Sequence, residues 1–363
     1  MAHRPVYGHQ SLRERLSSAW LGERLPASLL LVGKRGVGKQ RLALWLGQLL
    51  LCERVRSEQR DEPCGACQQC RYAERGVHPD LHWFFPRPRV KDGDASPDEV
   101  KMDLAEAIAE RMAADGLWSP SVGSDGIHVA TVRALVQQAS VRPAMAARAV
   151  FVVGDAERMV SQEGADQAAN AFLKLLEEPP AGTILILTSS EPGALLPTIR
   201  SRVVTMRVPP LSRMDVEAFL DDPAVMRRLS KVSREDAVSR AGGAPGELLA
   251  DASTAAAYAG ARALLEAALQ PGGPAGTAER VKAAARQGVA GARGAFSDML
   301  DALTVLLHER VRNLTLAGQA ADARRAASVL MDVEVAKQRA QGNVSPQLVS
   351  AAMLNAMHNT LRT

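Results

Sequence analysis

The chain has 363 residues, 47% of them hydrophobic and 23% charged, with a formal net charge of +4. That length allows two or three domains with sizeable cores. The composition is that of an ordinary soluble protein, and abundant Ala and Leu with only 4% aromatics favour helix over a β-sandwich. So mild a basic balance permits nucleic-acid contact without requiring it. No uncharged apolar run of about 18 residues and no signal-like N-terminus is present, so a cytoplasmic chain without a membrane span is expected.

Residues 1 to 25 carry an amphipathic helical pattern through Leu12, Leu16, Ala19 and Trp20, closed by Pro26. The apolar run 28–32 predicts a buried parallel strand. It leads into GKRGVGKQ at 33–40 and then a helix with Leu42, Trp45, Leu46 and Leu49 on one face. A cysteine-rich segment follows, then a short strand over 81–85. Residues 86–126 are charged and rich in Pro, Asp and Gly. They read as a surface excursion with a helix near 98–114. Helical signals return at 131–139. Strands are expected at 149–153 (with Asp155 just beyond), 183–188 and 203–208, with helices over 162–177 and about 196–202. Alternating strands and helices predict an α/β domain with a mostly parallel sheet up to about residue 208. Beyond Pro209 and Pro210 the pattern is helical: a small domain over 209–255, then an Ala-rich all-α region over 256–363, interrupted at 271–274 and at Gly342 and Asn343.

Gly33, Gly36, Gly38 and Lys39 stand in the GxxxxGK frame between a strand and a helix. Backbone N–H groups there can cradle phosphates, and Lys39 can reach the terminal ones. The usual next residue is Ser or Thr, whose hydroxyl binds magnesium, but here it is Gln40. At the other catalytic strand end Asp155 is followed by Ala156, where a water-positioning Glu would stand, and Glu157 comes one place late. Both departures point to a loop that binds ATP or ADP weakly or not at all and does not hydrolyse it. A plain structural turn remains the alternative for the loop, and a helix cap the alternative for Asp155.

All four cysteines fall within residues 52–70, as Cys52, Cys64, Cys67 and Cys70. Clustered thiols in a cytoplasmic chain indicate a metal before disulfides. Four thiolates complete a tetrahedral zinc shell and leave no position for a catalytic water, so the zinc is structural. Iron–sulfur ligation and unligated surface thiols are the alternatives. His78 and His82 read as local packing or capping residues.

With HPD at 78–80, FLKLLEEPP at 172–180 and TIRSR at 198–202, these features resemble the bacterial clamp-loader AAA+ family of DNA polymerase III, closest to its non-motor, zinc-bearing branch. The resemblance implies an AAA+ P-loop domain over 1–208 with the zinc module inserted at about 52–80. It further implies a helical lid over 209–255 and a C-terminal collar over 256–363. It implies that Arg202 acts in trans as an arginine finger on ATP held by a neighbouring subunit, since TIRSR matches the family's Ser-Arg-Cys motif with Val203 in place of Cys. Ser189 or Thr188 falls at the family's first sensor. AGGAPGELL at 241–249 resembles the second-sensor region, with Glu247 near the position of an arginine in active members. The implied partners are gamma or tau motor subunits and a delta subunit in a hetero-pentamer, and through them the sliding clamp and primer-template DNA. The chain itself is expected to lack ATPase activity.

Two other classes stay open on the residues alone. One is an autonomous AAA+ ATPase of DNA repair or replication. The other is a zinc-dependent nucleic-acid-binding protein using Arg54, Arg56, Arg60, Arg71 and Arg75, although Glu53, Glu58, Asp61, Glu62 and Glu74 nearly balance them.

Overall fold

A computed structural model describes residues 3, 5–90, 95–118, 125–159, 166–229, 234–249, 252–286, 293–341 and 345–362. They divide into two compact units that meet in sequence between Leu249 and Ala250.

The first unit is built on a five-stranded sheet: β1 (Ser28–Val32), β2 (Leu81–Phe84), β3 (Ala149–Val153), β4 (Thr183–Ser189) and β5 (Val204–Arg207). The spatial order is β2-β3-β4-β1-β5, and every pairing is parallel. Every residue of β1, β3 and β4 is buried, as befits central strands covered on both faces. β5 is an edge strand, and its Val204 and Thr205 are exposed. In register, Val32 lies beside Ser189 and Val153 beside Leu187. The residues that follow β1, β3 and β4 therefore emerge at one end of the sheet, where ligands of open α/β folds bind.

The predicted strands and helices largely form. The first helix is shorter than its pattern, Gln10–Leu21, and buries Leu12, Leu16 and Trp20. The expected 162–177 helix is described as Asp166–Glu177, its first four residues lying outside the described residues. The predicted break at Gly342 and Asn343 also lies outside them.

The segment 86–126 departs from a surface excursion. Its helix Pro97–Ala113 opens with a capping box between Ser96 and Glu99, and buries Val100, Leu104, Ala107 and Met112. Arg111 from the same helix is enclosed by aromatic rings, its guanidinium 3.5 Å from the centroid of Phe85 and 4.6 Å from that of Trp83. Burial drives its pKa down to about 9. Charged residues dominate the segment's composition, yet every third or fourth position of the helix is apolar. That stripe, rather than the average, decides its burial. Residues 91–94 and 119–124 of the segment lie outside the described residues.

After β5, a capping box between Ser212 and Asp215 starts the helix Arg213–Leu220. Val216, Phe219, Leu220, Val225, Ala237, Ala241 and Leu249 form a separate small core that also takes in Leu117. The second unit is helical throughout its described residues: Ala252–Leu269, Pro274–Arg286, Arg293–Leu316, Ala320–Gln341 and Pro346–Arg362. Its core is Leu264, Leu300, Leu303, Leu307, Val329, Val333, Leu354 and Met357. No helix among the described residues is long and apolar enough to cross a membrane.

Candidate functional site

The phosphate loop leaves β1 at Gly33, whose N–H donates to the Ser189 carbonyl at 3.2 Å, and Gly38 caps the helix Lys39–Leu51. At Gly36 the backbone takes a positive φ of 74° and lies against Ala244 and Glu247. A Cβ there would sit 2.6 Å from the Glu247 nitrogen, so only glycine fits. Gly246 N–H donates to the Gly36 carbonyl at 2.9 Å, and Glu247 lies 3.7 Å from Arg35. The Glu247 side chain thus packs against the phosphate loop.

Lys39 is buried, and its ammonium donates to the carbonyls of Gly33 and Lys34 at 3.0 Å each and to Ser190 Oγ at 2.8 Å. An ammonium has three donors, so all are spent inside the protein. Burial lowers the Lys39 pKa, against the opposing charges of Asp155, Glu157 and Glu247. Gln40 follows Lys39, where the phosphate-loop frame usually carries a magnesium-binding Ser or Thr. Its Nε2 donates to Asp155 Oδ2 at 3.0 Å, and its Oε1 accepts from Trp83 Nε1 at 3.2 Å. A Cβ on Gly154 would come within 2.5 Å of the Gln40 amide carbon, so the side chain is packed flat on that glycine.

Asp155 occupies the left-handed region, φ 47°, and makes no side-chain cap on the short helix Ala156–Arg158. Its carboxylate is turned to Gln40 instead, which removes the helix-cap alternative. Its N–H donates to Thr188 Oγ1 at 3.0 Å, which clasps the end of β4 to the segment following β3. Glu157 accepts from the Ser190 N–H at 2.9 Å. Burial, and then the charge of Asp155, push its pKa up.

The four cysteine sulfurs lie within 4.8 Å of one another. The Cys64–Cys70 and Cys52–Cys67 sulfur separations are 3.9 and 4.0 Å. A tetrahedral ZnS4 centre with Zn–S of about 2.3 Å has sulfur–sulfur edges of about 3.8 Å, so the set fits zinc. Backbone N–H groups of Ala66 and Cys67 point at Cys64 Sγ at 3.4 and 3.3 Å, and the Cys64 N–H at Cys52 Sγ at 3.4 Å. Such N–H···S bonds favour thiolates. Burial and then the neighbouring Cys52 charge push Cys70 up, so four thiolates this close need a cation to coexist. The module is tied to the domain by Ser17 Oγ, which donates to the Asp61 carbonyl at 2.8 Å, by Trp45 Nε1, which donates to Glu62 at 2.7 Å, and by an Arg13–Glu62 ion pair.

The HPD residues have a part that the sequence did not disclose. His78 Nε2 is 2.6 Å from Gln69 Oε1 and its Nδ1 accepts from the Asp80 N–H at 2.9 Å. The Asp80 carboxylate accepts three backbone N–H bonds, from Ala144, Met145 and Ala146, at 2.6 to 2.8 Å. Burial opposes its charge, but these three bonds outweigh it and hold the pKa below the usual carboxylate value. His82 stacks on Phe151 at 4.7 Å, a packing role.

Arg202 follows the short helix Pro197–Arg200. Its Nε donates to Glu177 Oε1 at 2.5 Å and its Nη1 to the Thr198 carbonyl at 2.9 Å and Ser201 Oγ at 3.2 Å, while Nη2 completes the ion pair with Glu177. Glu177 is the last residue of the helix Asp166–Glu177, within the FLKLLEEPP run. The run and the arginine were both legible as motifs, but their pairing was not.

A family model described as DNA polymerase III, delta subunit, matches residues 8–212. DNA polymerase III subunit delta' of Bacillus subtilis is 29% identical over 220 residues, 61% of this chain and 50% of that protein. Its counterpart in Pseudomonas aeruginosa is 31% identical over 221 residues, 60% of this chain and 52% of that protein. DNA polymerase III subunit gamma/tau of Mycobacterium tuberculosis is 30% identical over 197 residues, 54% of this chain and 27% of that protein. The chain spans about half the length of the delta' relatives it matches.

Proposed function

The chain belongs to the DNA polymerase III delta subunit family, and from that membership we propose that it serves as the delta-prime, non-motor subunit of a bacterial clamp loader. In this reading its own nucleotide site is inert, and its contribution to ATP chemistry is Arg202. The observation that carries the reading is the Gln40–Asp155 hydrogen bond, 3.0 Å long, at the place where a motor subunit holds magnesium. The three spent donors of Lys39 and the carboxylate of Glu247 over the loop support it further. ATP phosphates entering the loop would meet Glu247 and would have to strip Lys39 from its partners.

Arg202 would complete the ATP site of an adjacent gamma or tau subunit. A guanidinium there neutralises charge developing on the transferred phosphoryl group. Residues 1–208 would supply the AAA+ domain, 209–255 the lid and 256–363 the collar that joins motor and delta subunits in a cytoplasmic pentamer. Ordering of that ring by ATP would let the delta subunit open the sliding clamp on primer-template DNA. Bound at Cys52, Cys64, Cys67 and Cys70, zinc would supply a rigid cross-link and no catalysis. The experiment that tests the reading is co-assembly with the gamma- and delta-type subunits of the same organism, read as complex mass by light scattering. One copy of this chain per complex is expected. A chain that stays alone beside competent partners overturns the reading and favours an autonomous ATPase.

A further inference from the structure

The guanidinium of Arg202 is turned to partners within its own chain. Nε and Nη2 face the Glu177 carboxylate and Nη1 faces the Thr198 carbonyl and Ser201 hydroxyl. A group meant for a phosphate on another subunit is here held by an anion of its own subunit. The two side chains remain accessible, 29% exposed for Arg202 and 47% for Glu177. An accessible carboxylate–guanidinium pair is weak and exchangeable, because water and salt screen it. Phosphate and carboxylate both offer anionic oxygen acceptors to a guanidinium, so one can replace the other on the same donors.

We propose that Glu177 is a positioning residue that holds Arg202 against the turn 198–201 until the terminal phosphate of a neighbour's nucleoside triphosphate displaces the carboxylate. The proposal rests on the trans-arginine reading of Arg202. Glu177 closes the helix Asp166–Glu177, whose Leu176 carbonyl accepts from the buried Ser28 hydroxyl at the start of β1. The helix end that carries Glu177 is thus tied to the sheet, and holding Arg202 there sets both its starting place and a cost for its release. Binding of the neighbour's nucleotide is weakened by the fraction of time Arg202 spends on Glu177.

The test uses the reconstituted complex and equilibrium titration with a slowly hydrolysed ATP analogue. The chain is supplied as wild type, Glu177→Gln, Glu177→Asp, Arg202→Ala and the Glu177→Gln/Arg202→Ala double variant. Glu177→Gln is expected to tighten one nucleotide site about two- to fivefold, the range set by an exposed ion pair. Glu177→Asp, which keeps the carboxylate, is expected to stay near wild type. The tightening must vanish in the Arg202→Ala background, which a merely structural Glu177 would not require. If Arg202→Ala weakens one site but Glu177→Gln leaves all sites unchanged, Glu177 is an ordinary surface partner and the proposal is overturned. If Arg202→Ala changes nothing, the trans-arginine reading falls, and this proposal with it.

Discussion

Gln40 Nε2 donates to Asp155 Oδ2 at 3.0 Å, so the carboxylate that follows β3 is partnered by a neutral amide of the phosphate-loop helix. The same amide accepts from Trp83 Nε1. An amide bridging a carboxylate and an indole leaves little for magnesium to do. Magnesium and ATP are therefore expected to leave the melting temperature of the isolated chain unchanged, within about 1 °C by thermal denaturation, since a ligand shifts stability only by binding the folded state. Gln40→Ala is expected to lower stability by about 1–2 kcal/mol in urea titration, as the buried Trp83 and the half-buried Asp155 each lose a hydrogen bond. A clear rise in melting temperature with magnesium and ATP in the wild type would contradict the inert site.

The cysteine cluster predicts one zinc per chain, measured by metal analysis of the purified protein. Removing it with a strong chelator is expected to lower the melting temperature and to open the segment 52–80 to proteolysis. The segment has few apolar residues of its own, and metal binding there is folding free energy. Cys67→Ser is expected to weaken zinc retention while leaving the isolated chain's ATP hydrolysis at background. Full melting temperature after verified zinc loss would show that the module's hydrogen bonds and ion pairs to the domain hold it without the metal.

Asp80 gives a pH prediction with a definite sign. Its folded pKa lies below the unfolded one, so its stabilising contribution is present above the unfolded carboxylate pKa. It is lost as pH falls through the folded value. Asp80→Ala, which strands the N–H groups of Ala144, Met145 and Ala146, is expected to cost about 2–4 kcal/mol at pH 7. The gap between variant and wild type should narrow steadily below pH 4. A gap independent of pH down to pH 3 would assign the loss to packing rather than to the carboxylate.

The sequence made the strand-loop-helix of residues 28–51 legible because the apolar run 29–32, three glycines and Lys39 leave few local alternatives. The cysteines were legible through spacing alone, and their sulfurs do converge. What stayed hidden depends on tertiary approach. Glu177 and Arg202 are twenty-five residues apart and meet only because the chain between them runs through β4 and turns back. Asp80 reaches residues sixty-four to sixty-six places away. The helix Pro97–Ala113 was placed almost to the residue, yet its burial was misjudged, because average polarity masked its apolar stripe.

The most direct measurement is the primed-DNA-stimulated ATPase of the reconstituted complex with Arg202→Ala in place of the wild-type chain, assembly being verified by mass. An arginine of this kind is worth about 10³-fold or more at the site it serves. Turnover by the whole complex is therefore expected to fall by the full share of the adjacent site, and clamp loading with it. An assembled Arg202→Ala complex with wild-type ATPase and clamp loading would contradict the trans role.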